Sequence, residues 1–176
     1  MFDRINTPTT APSLRLPAPL TPAGFDKPTP TPEKLWNAAQ ISLSPKYQGL
    51  PFRDFQKGPL DGDYGTDCSG LVASVMIEAG ILDPDILNYY NTDSFREDSN
   101  MLWEQRAGYL PPEALDELQP GDIILMRGAD SRATDTYPGH MGIYVGNGWM
   151  THCGGNGSET VPLLQRHDVI ELKRMR

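Results

Sequence analysis

Apolar residues recur with helical spacing in the first half of the chain and in short strand-like runs in the second half. Thr31 opens the first patterned segment, T-P-E-K-L-W-N-A-A-Q-I. Thr31 suits an N-cap, Pro32 the first helical position and Glu33 the positive end of the helix dipole. Leu35, Trp36, Ala39 and Leu43 supply an apolar stripe, so a helix is expected to end before Pro45. Residues 46–66 are rich in Gly, Pro and Asp and read as loop. A second helix follows in S-G-L-V-A-S-V-M-I-E-A-G. Leu71, Val72, Val75, Met76 and Ala79 face its core, and Gly80 marks its stop. Two short helices are expected around Pro84 to Tyr90 and Asp93 to Arg106, in a segment (83–110) that reads as an insertion or lid. A single helical turn fits Pro111 to Leu115.

From Leu118 the pattern is that of strands. G-D-I-I-L-M-R, H-M-G-I-Y-V-G-N, W-M-T-H-C and D-V-I-E-L-K-R give four, with Asn147-Gly148 closing a hairpin between the second and third. Helices first and a sheet afterwards predict an α+β fold, with N-terminal helices packed on a small antiparallel sheet.

Composition divides the chain. Residues 1–32 hold eight of the 17 prolines. Proline lacks an amide donor, so this stretch reads as an extended or disordered arm and 33–176 as the folded domain. The arm carries a net +1, leaving −9 of the formal −8 on the domain. Such acidity argues against nucleic acid and anionic lipid as partners. No apolar run approaches the ~20 residues of a membrane span. The segment MFDRINTPTT has no apolar core of a Sec-type signal peptide, so any export is expected to use another route.

Candidate chemistry begins at Cys68, one of two cysteines. It stands at the start of the second helix, where the dipole and free amides favour thiolate and can hold a developing oxyanion. On this basis its pKa is expected to fall below that of an ordinary thiol. A nucleophilic thiol needs a base, and the chain has three histidines. His140 and His152 flank the Asn147-Gly148 turn, so a short hairpin can present both on one face. His140 would take the thiol proton, and His152 would hold its other ring nitrogen. His167 lies in a polar stretch and reads as surface. Cys153 follows His152 and should point to the opposite face, which disfavours a bridge to Cys68. A zinc site of Cys68, His140, His152 and Cys153 has suitable ligand types but lacks the close spacing of structural zinc motifs.

T-D-C-S-G-L-V, L-Q-P-G-D-I-I-L and H-M-G-I-Y-V-G-N-G-W-M-T-H, in that order, resemble the NlpC-type family of cell-wall cysteine peptidases over roughly residues 33–176. The resemblance implies a papain-like core and hydrolysis of bacterial peptidoglycan stems, often between γ-D-glutamate and diaminopimelate. It implies Cys68 as nucleophile, His140 as base and His152 as third residue. It also implies Asp67 and Ser69 as recognition residues for the substrate's free amine. The family's usual tyrosine in G-x-P-Y is replaced here by Phe52 in G-L-P-F-R-D-F-Q, so its hydroxyl is missing unless Tyr64 supplies one. Trp103 and Tyr109 read first as core packing, with lining of a cleft as the alternative.

D-C-S-G before a hydrophobic helix is shared with interbacterial amidase toxins. The expected role is therefore an exported antibacterial effector or phage lysis enzyme, cytoplasmic before delivery and acting on the wall of a target cell. A monomer is expected, with the stem peptide as substrate, an immunity or delivery protein as possible partner, and no metal or cofactor. The alternatives are a papain-like protease or acyltransferase acting on protein or lipid, and a non-enzymatic module on an enzyme fold.

Overall fold

The computed structural model describes residues 29–62, 64–97, 101–108, 112–129, 134 and 138–175. The arm up to residue 28, Tyr109 and the side chain of Trp103 lie outside the described residues.

Helix α1 spans Pro32–Ser42, with Thr31 Oγ1 accepting from the Lys34 amide at 3.3 Å. Its buried face is Leu35, Ala38, Ala39 and Ser42. The expected stripe is thus rotated: Trp36 is 54 % exposed and Leu43 39 %. The reason is close approach, which selects small residues. A Cβ on Gly121 would stand 2.5 Å from the Leu35 carbonyl oxygen, so α1 sits almost backbone-to-backbone on the turn before the sheet.

Helix α2 spans Cys68–Glu78, and every residue from Cys68 to Met76 is buried. Helix on one side and sheet on the other leave it no solvent-facing stripe, which explains its mostly apolar composition. It ends in a left-handed turn at Gly80 (φ +69°), with the Ile81 amide donating to the Met76 carbonyl at 2.9 Å.

A 3₁₀ turn at Pro84–Tyr89 leads to α3, Thr92–Glu97. The helix expected to run on to Arg106 stops there, and Met101–Gly108 is a strand, β1. Its backbone partners lie in the C-terminal strand, far along the chain, so no local pattern announces it. A second 3₁₀ turn covers Pro112–Asp116.

The remaining strands are β2 (Ile123–Met126), β3 (His140–Gly146), β4 (Trp149–Gly154), β5 (Gly157–Pro162) and β6 (Val169–Met175). The sheet is antiparallel and six-stranded, in the order β1-β6-β2-β3-β4-β5. Two strands, β1 and β5, exceed the four expected. Helices α1 and α2 cover one face over Ile123, Leu125, Met141, Ile143 and Cys153. The other face packs Ile124, Met126, Tyr144, Met150 and Leu172 under Ala114, Leu115 and Leu163. Each such aliphatic side chain contributes roughly 1.5–3 kcal/mol on burial. The arrangement is the expected α+β one, and it brings the first turn of α2 against the start of β3. No helix among the described residues is long and apolar enough to cross a membrane.

Candidate active site

Cys68 owes its position to the loop before it. The loop is laced by backbone bonds from Arg53 N to Thr66 O, Thr66 N to Pro51 O and Asp67 N to Gln56 O. Asp67 caps α2: its Oδ1 accepts from the Gly70 amide at 2.6 Å and from the Ser69 hydroxyl at 2.8 Å. A Cβ on Gly70 would meet the Gln56 carbonyl oxygen at 2.5 Å and Lys57 Cα at 2.8 Å. Gly70 is therefore there to admit the loop's backbone.

The thiol does not have the low pKa expected of a helix terminus. Burial, then the charge of Asp67, push Cys68 up to about 11. Hydrogen bonds from the Met141 amide, the Thr92 hydroxyl and the Ser69 amide act in the opposite direction without prevailing. The dipole's contribution of a fraction of a kcal/mol is outweighed by loss of water around the sulfur.

The hairpin brings the two histidines together. Asn147 (φ +53°) and Gly148 (φ +80°) are both left-handed, as a type I′ turn requires. Gly142, not His140, is directly opposite His152, so the rings are diagonal neighbours on one face. Gly142 leaves that face open: a Cβ there would stand 3.2 Å from His152 Cβ. His140 Nε2 lies 2.9 Å from His152 Nδ1, with the rings edge-to-face at 86°. The contact engages His140 Nε2 and leaves Nδ1 as the nitrogen for a thiol. Burial and the neighbouring His152 lower His140 to about 3, and burial with the Arg166 charge lowers His152. Both shifts favour the neutral thiol and the neutral imidazole at rest.

Cys68, His140 and His152 line one cleft of about 1330 Å³, with Asp67 and Ser69 beside them. Phe52 also lines it, where the family pattern has its tyrosine. Tyr64 is 84 % exposed and is not among the lining residues, so it does not stand in for the missing phenol. The hydroxyl at the sulfur is that of Thr92, from α3.

Lining residues that the sequence reading did not single out include Lys57, Thr92, Glu159, Arg166 and Asp168. Arg166 and Asp168 form a two-pronged pair, Nε–Oδ1 at 2.9 Å and Nη2–Oδ2 at 2.7 Å. Burial works against the Asp168 carboxylate, but the Arg166 bonds and the Gly128 amide hold its pKa below the ordinary value. Their R-x-D spacing just before a strand could have suggested the pair. Glu159 could have been found from the G-G-N-G turn, which folds it back opposite His152. His167, between the pair, is exposed and outside the lining.

Cys153 points to the opposite face, its Sγ 3.2 Å from the Thr66 carbonyl oxygen, and both cysteines are unbridged. Among the described residues, no three His, Cys, Asp or Glu side chains are grouped as a metal site.

Comparison with known proteins follows the same lines. The profile of the NlpC/P60 family matches residues 49–167. Similar solved structures include NlpC2 from Trichomonas vaginalis, with TM-score 0.56 and 23 % identity over 81 % of this chain and 46 % of that one. A Staphylococcus aureus protein described as similar to an NLP/P60-family lipoprotein gives 0.54 and 23 %, over 88 % and 44 %. The peptidoglycan hydrolase RipB from Mycobacterium tuberculosis gives 0.50 and 22 %, over 82 % and 66 %. At these identities the likeness is one of fold. The chain spans less than half the length of the first two. No curated protein matches its sequence.

Proposed function

The chain belongs to the NlpC/P60 family, and we propose that it is a cysteine hydrolase cutting an amide bond in the peptide stems of bacterial peptidoglycan. One observation carries the reading: a two-histidine contact of 2.9 Å opens onto the same cleft as a helix-capped cysteine.

In this reading the resting pair is neutral, so the thiol must be deprotonated as it attacks. His140 Nδ1 takes the proton while Cys68 Sγ bonds to the scissile carbonyl carbon. The carbonyl electrons move to oxygen, which the backbone amides at the start of α2 receive. The tetrahedral intermediate collapses, the C–N bond breaks, and His140 returns its proton to the departing amine. Water then attacks the thioester with His140 again as base, freeing the carboxylate and restoring the thiol. His152 holds the imidazole throughout and shares the positive charge it acquires.

Asp67 and Ser69 are proposed to receive the substrate's free amine. Capping occupies Asp67 Oδ1, which leaves Oδ2 for that task, in competition with the Lys57 ammonium at 4.0 Å. The bond between γ-D-glutamate and diaminopimelate fits such an end-recognising site. We further propose delivery into a target cell's periplasm, as an antibacterial effector or phage lysis enzyme. In that case expression directed to the periplasm lyses cells and cytoplasmic expression does not.

The direct test is digestion of purified sacculi by wild type and Cys68→Ala, with products read by mass spectrometry. Stem fragments from the wild type alone would support the reading and name the bond. No fragments from a folded wild type would remove peptidoglycan and turn attention to a protein or lipid amide or ester.

A further inference from the structure

Glu159 stands directly opposite His152 across the β4–β5 pair. Its Oε1 is 3.9 Å from His152 Nε2, while His152 Nδ1 is 2.9 Å from His140 Nε2. Carboxylate, imidazole and imidazole therefore form a line of contacts within the cleft that holds Cys68.

Protons on such a line have two possible arrangements, and only one leaves a base. A carboxylate accepts and cannot donate, so the ring nitrogen facing it is favoured with its proton on. That puts the His152 proton on Nε2 and a lone pair on Nδ1. His140 Nε2 must then donate to it. Neutral His140 keeps its lone pair on Nδ1, where a thiol proton can be received. The reverse arrangement protonates His152 Nδ1, makes His140 Nε2 the acceptor and places a proton on His140 Nδ1. A ring in that state cannot take the thiol proton.

The two histidines alone do not choose, because each ring offers one donor and one acceptor in either arrangement. The other charged or titratable groups around them are Cys68 and Asp67 at the start of α2, and Arg166 and Asp168 before β6. Arg166 and Asp168 are bound to one another and act in opposite directions on both rings, Arg166 the more strongly. Asp67 caps α2 through Oδ1, and its charge acts on Cys68.

We infer that Glu159 is a positioning residue that sets the tautomers of His152 and His140 so that His140 presents an unprotonated Nδ1 to Cys68. At 3.9 Å the carboxylate lies beyond hydrogen-bond length and acts through its charge on the Nε2–H dipole. The same charge steadies the imidazolium once the thiol proton has moved. The inference rests on the proposed roles of Cys68 and His140. It does not depend on which molecule is cleaved.

The test uses the full chain labelled with ¹⁵N, with imidazole tautomers read from long-range ¹H–¹⁵N spectra near neutral pH, where both rings are uncharged. The wild type should show both rings as Nε2–H. Glu159→Ala and Glu159→Gln should both bring in the Nδ1–H form. Alkylation of Cys68 by iodoacetamide should slow about tenfold, the low end for loss of an orienting partner, and Glu159→Asp should restore most of it. Glu159 is 42 % exposed at its side chain, so the melting temperature should not move. A wild type with His152 as Nδ1–H, or an Ala variant with unchanged tautomers and alkylation, would overturn the inference. No substrate enters either readout, so failure to digest sacculi would leave the result intact.

Discussion

Gly128 lies against His140 so closely that a Cβ on Gly128 would stand 2.5 Å from His140 Cβ. Its φ of +66° is a second reason for glycine. Its amide also donates to Asp168 Oδ2 at 3.0 Å, so the contact joins the imidazole to the Arg166–Asp168 pair. Gly128→Ala should push the His140 ring off His152. We expect a loss of hydrolysis of at least about tenfold and a stability cost of roughly 1–3 kcal/mol. Steady-state kinetics and a urea melt on the same sample separate the two.

Thr92 should matter to the sulfur and little to the fold. Its hydroxyl bonds to Cys68 and works against the burial that raises the thiol. Thr92→Val should therefore move the pH profile of Cys68 alkylation to higher pH, and Thr92→Ser should leave it in place. An unmoved profile in Thr92→Val would remove the hydroxyl from the account.

Asp67 carries two duties that substitution can pull apart. Asp67→Ala removes the cap and should cost about 1 kcal/mol of stability. Asp67→Asn keeps an acceptor for the Gly70 amide but removes the charge that raises Cys68. Its thiol should alkylate faster than wild type at a fixed mildly alkaline pH. If the carboxylate also receives a substrate amine, hydrolysis should fall in the same variant, so the two rates would move in opposite directions.

The two thiols should differ in reach. Cys68 is 9 % exposed on the cleft, whereas Cys153 is fully buried and pushed up to about 12, chiefly by burial. Peptide mapping after brief iodoacetamide treatment should find label on Cys68 first. Equal labelling of folded protein would contradict the placement of Cys153.

Acid should unfold the protein in a defined window. His140 has its pKa lowered from 6.5 to about 3 by burial, so between those values the unfolded chain binds a proton that the folded one refuses. Stability is then complete above about 6.5 and is lost as pH falls toward 3. His152, lowered in the same direction, adds to the slope. Melting temperatures should fall across this range, and His140→Asn should flatten the fall. A flat wild-type profile would mean that the rings are protonated in the folded state.

The histidine pair was legible from sequence because its information is local. Asn147-Gly148 specifies the turn, and the turn fixes which residues meet. Cys68 was legible for the same reason, since a cap and a helix period lie within a few residues of each other. What escaped depends on distant partners. β1 is a strand only because β6 pairs with it, and the stripe on α1 turned because Gly121 admits a backbone. The thiol's pKa was misjudged because burial is a property of the whole fold and the helix dipole belongs to one element. The spacing of Arg166 and Asp168 hints at a pair, but nothing nearby in the chain says that it borders an imidazole.

Strand β6 lies between β1 and β2, both of which precede it in the chain. Among the described residues, β1 has β6 as its one neighbour in the sheet. Lys173 of β6 also donates to backbone carbonyls of Phe95 and Arg96, and Arg96 pairs with the buried Glu171, so the same strand anchors α3 and with it Thr92. During synthesis α2 and the β3–β4 hairpin can form while β1 and α3 still wait for their partner. Assembly around the sulfur is thus a late event with long loops to close, slow by its topology. A partly made chain would carry the cysteine and both histidines without the element that delivers Thr92 to the sulfur. Such a folding order would delay full reactivity until synthesis of the sheet is complete.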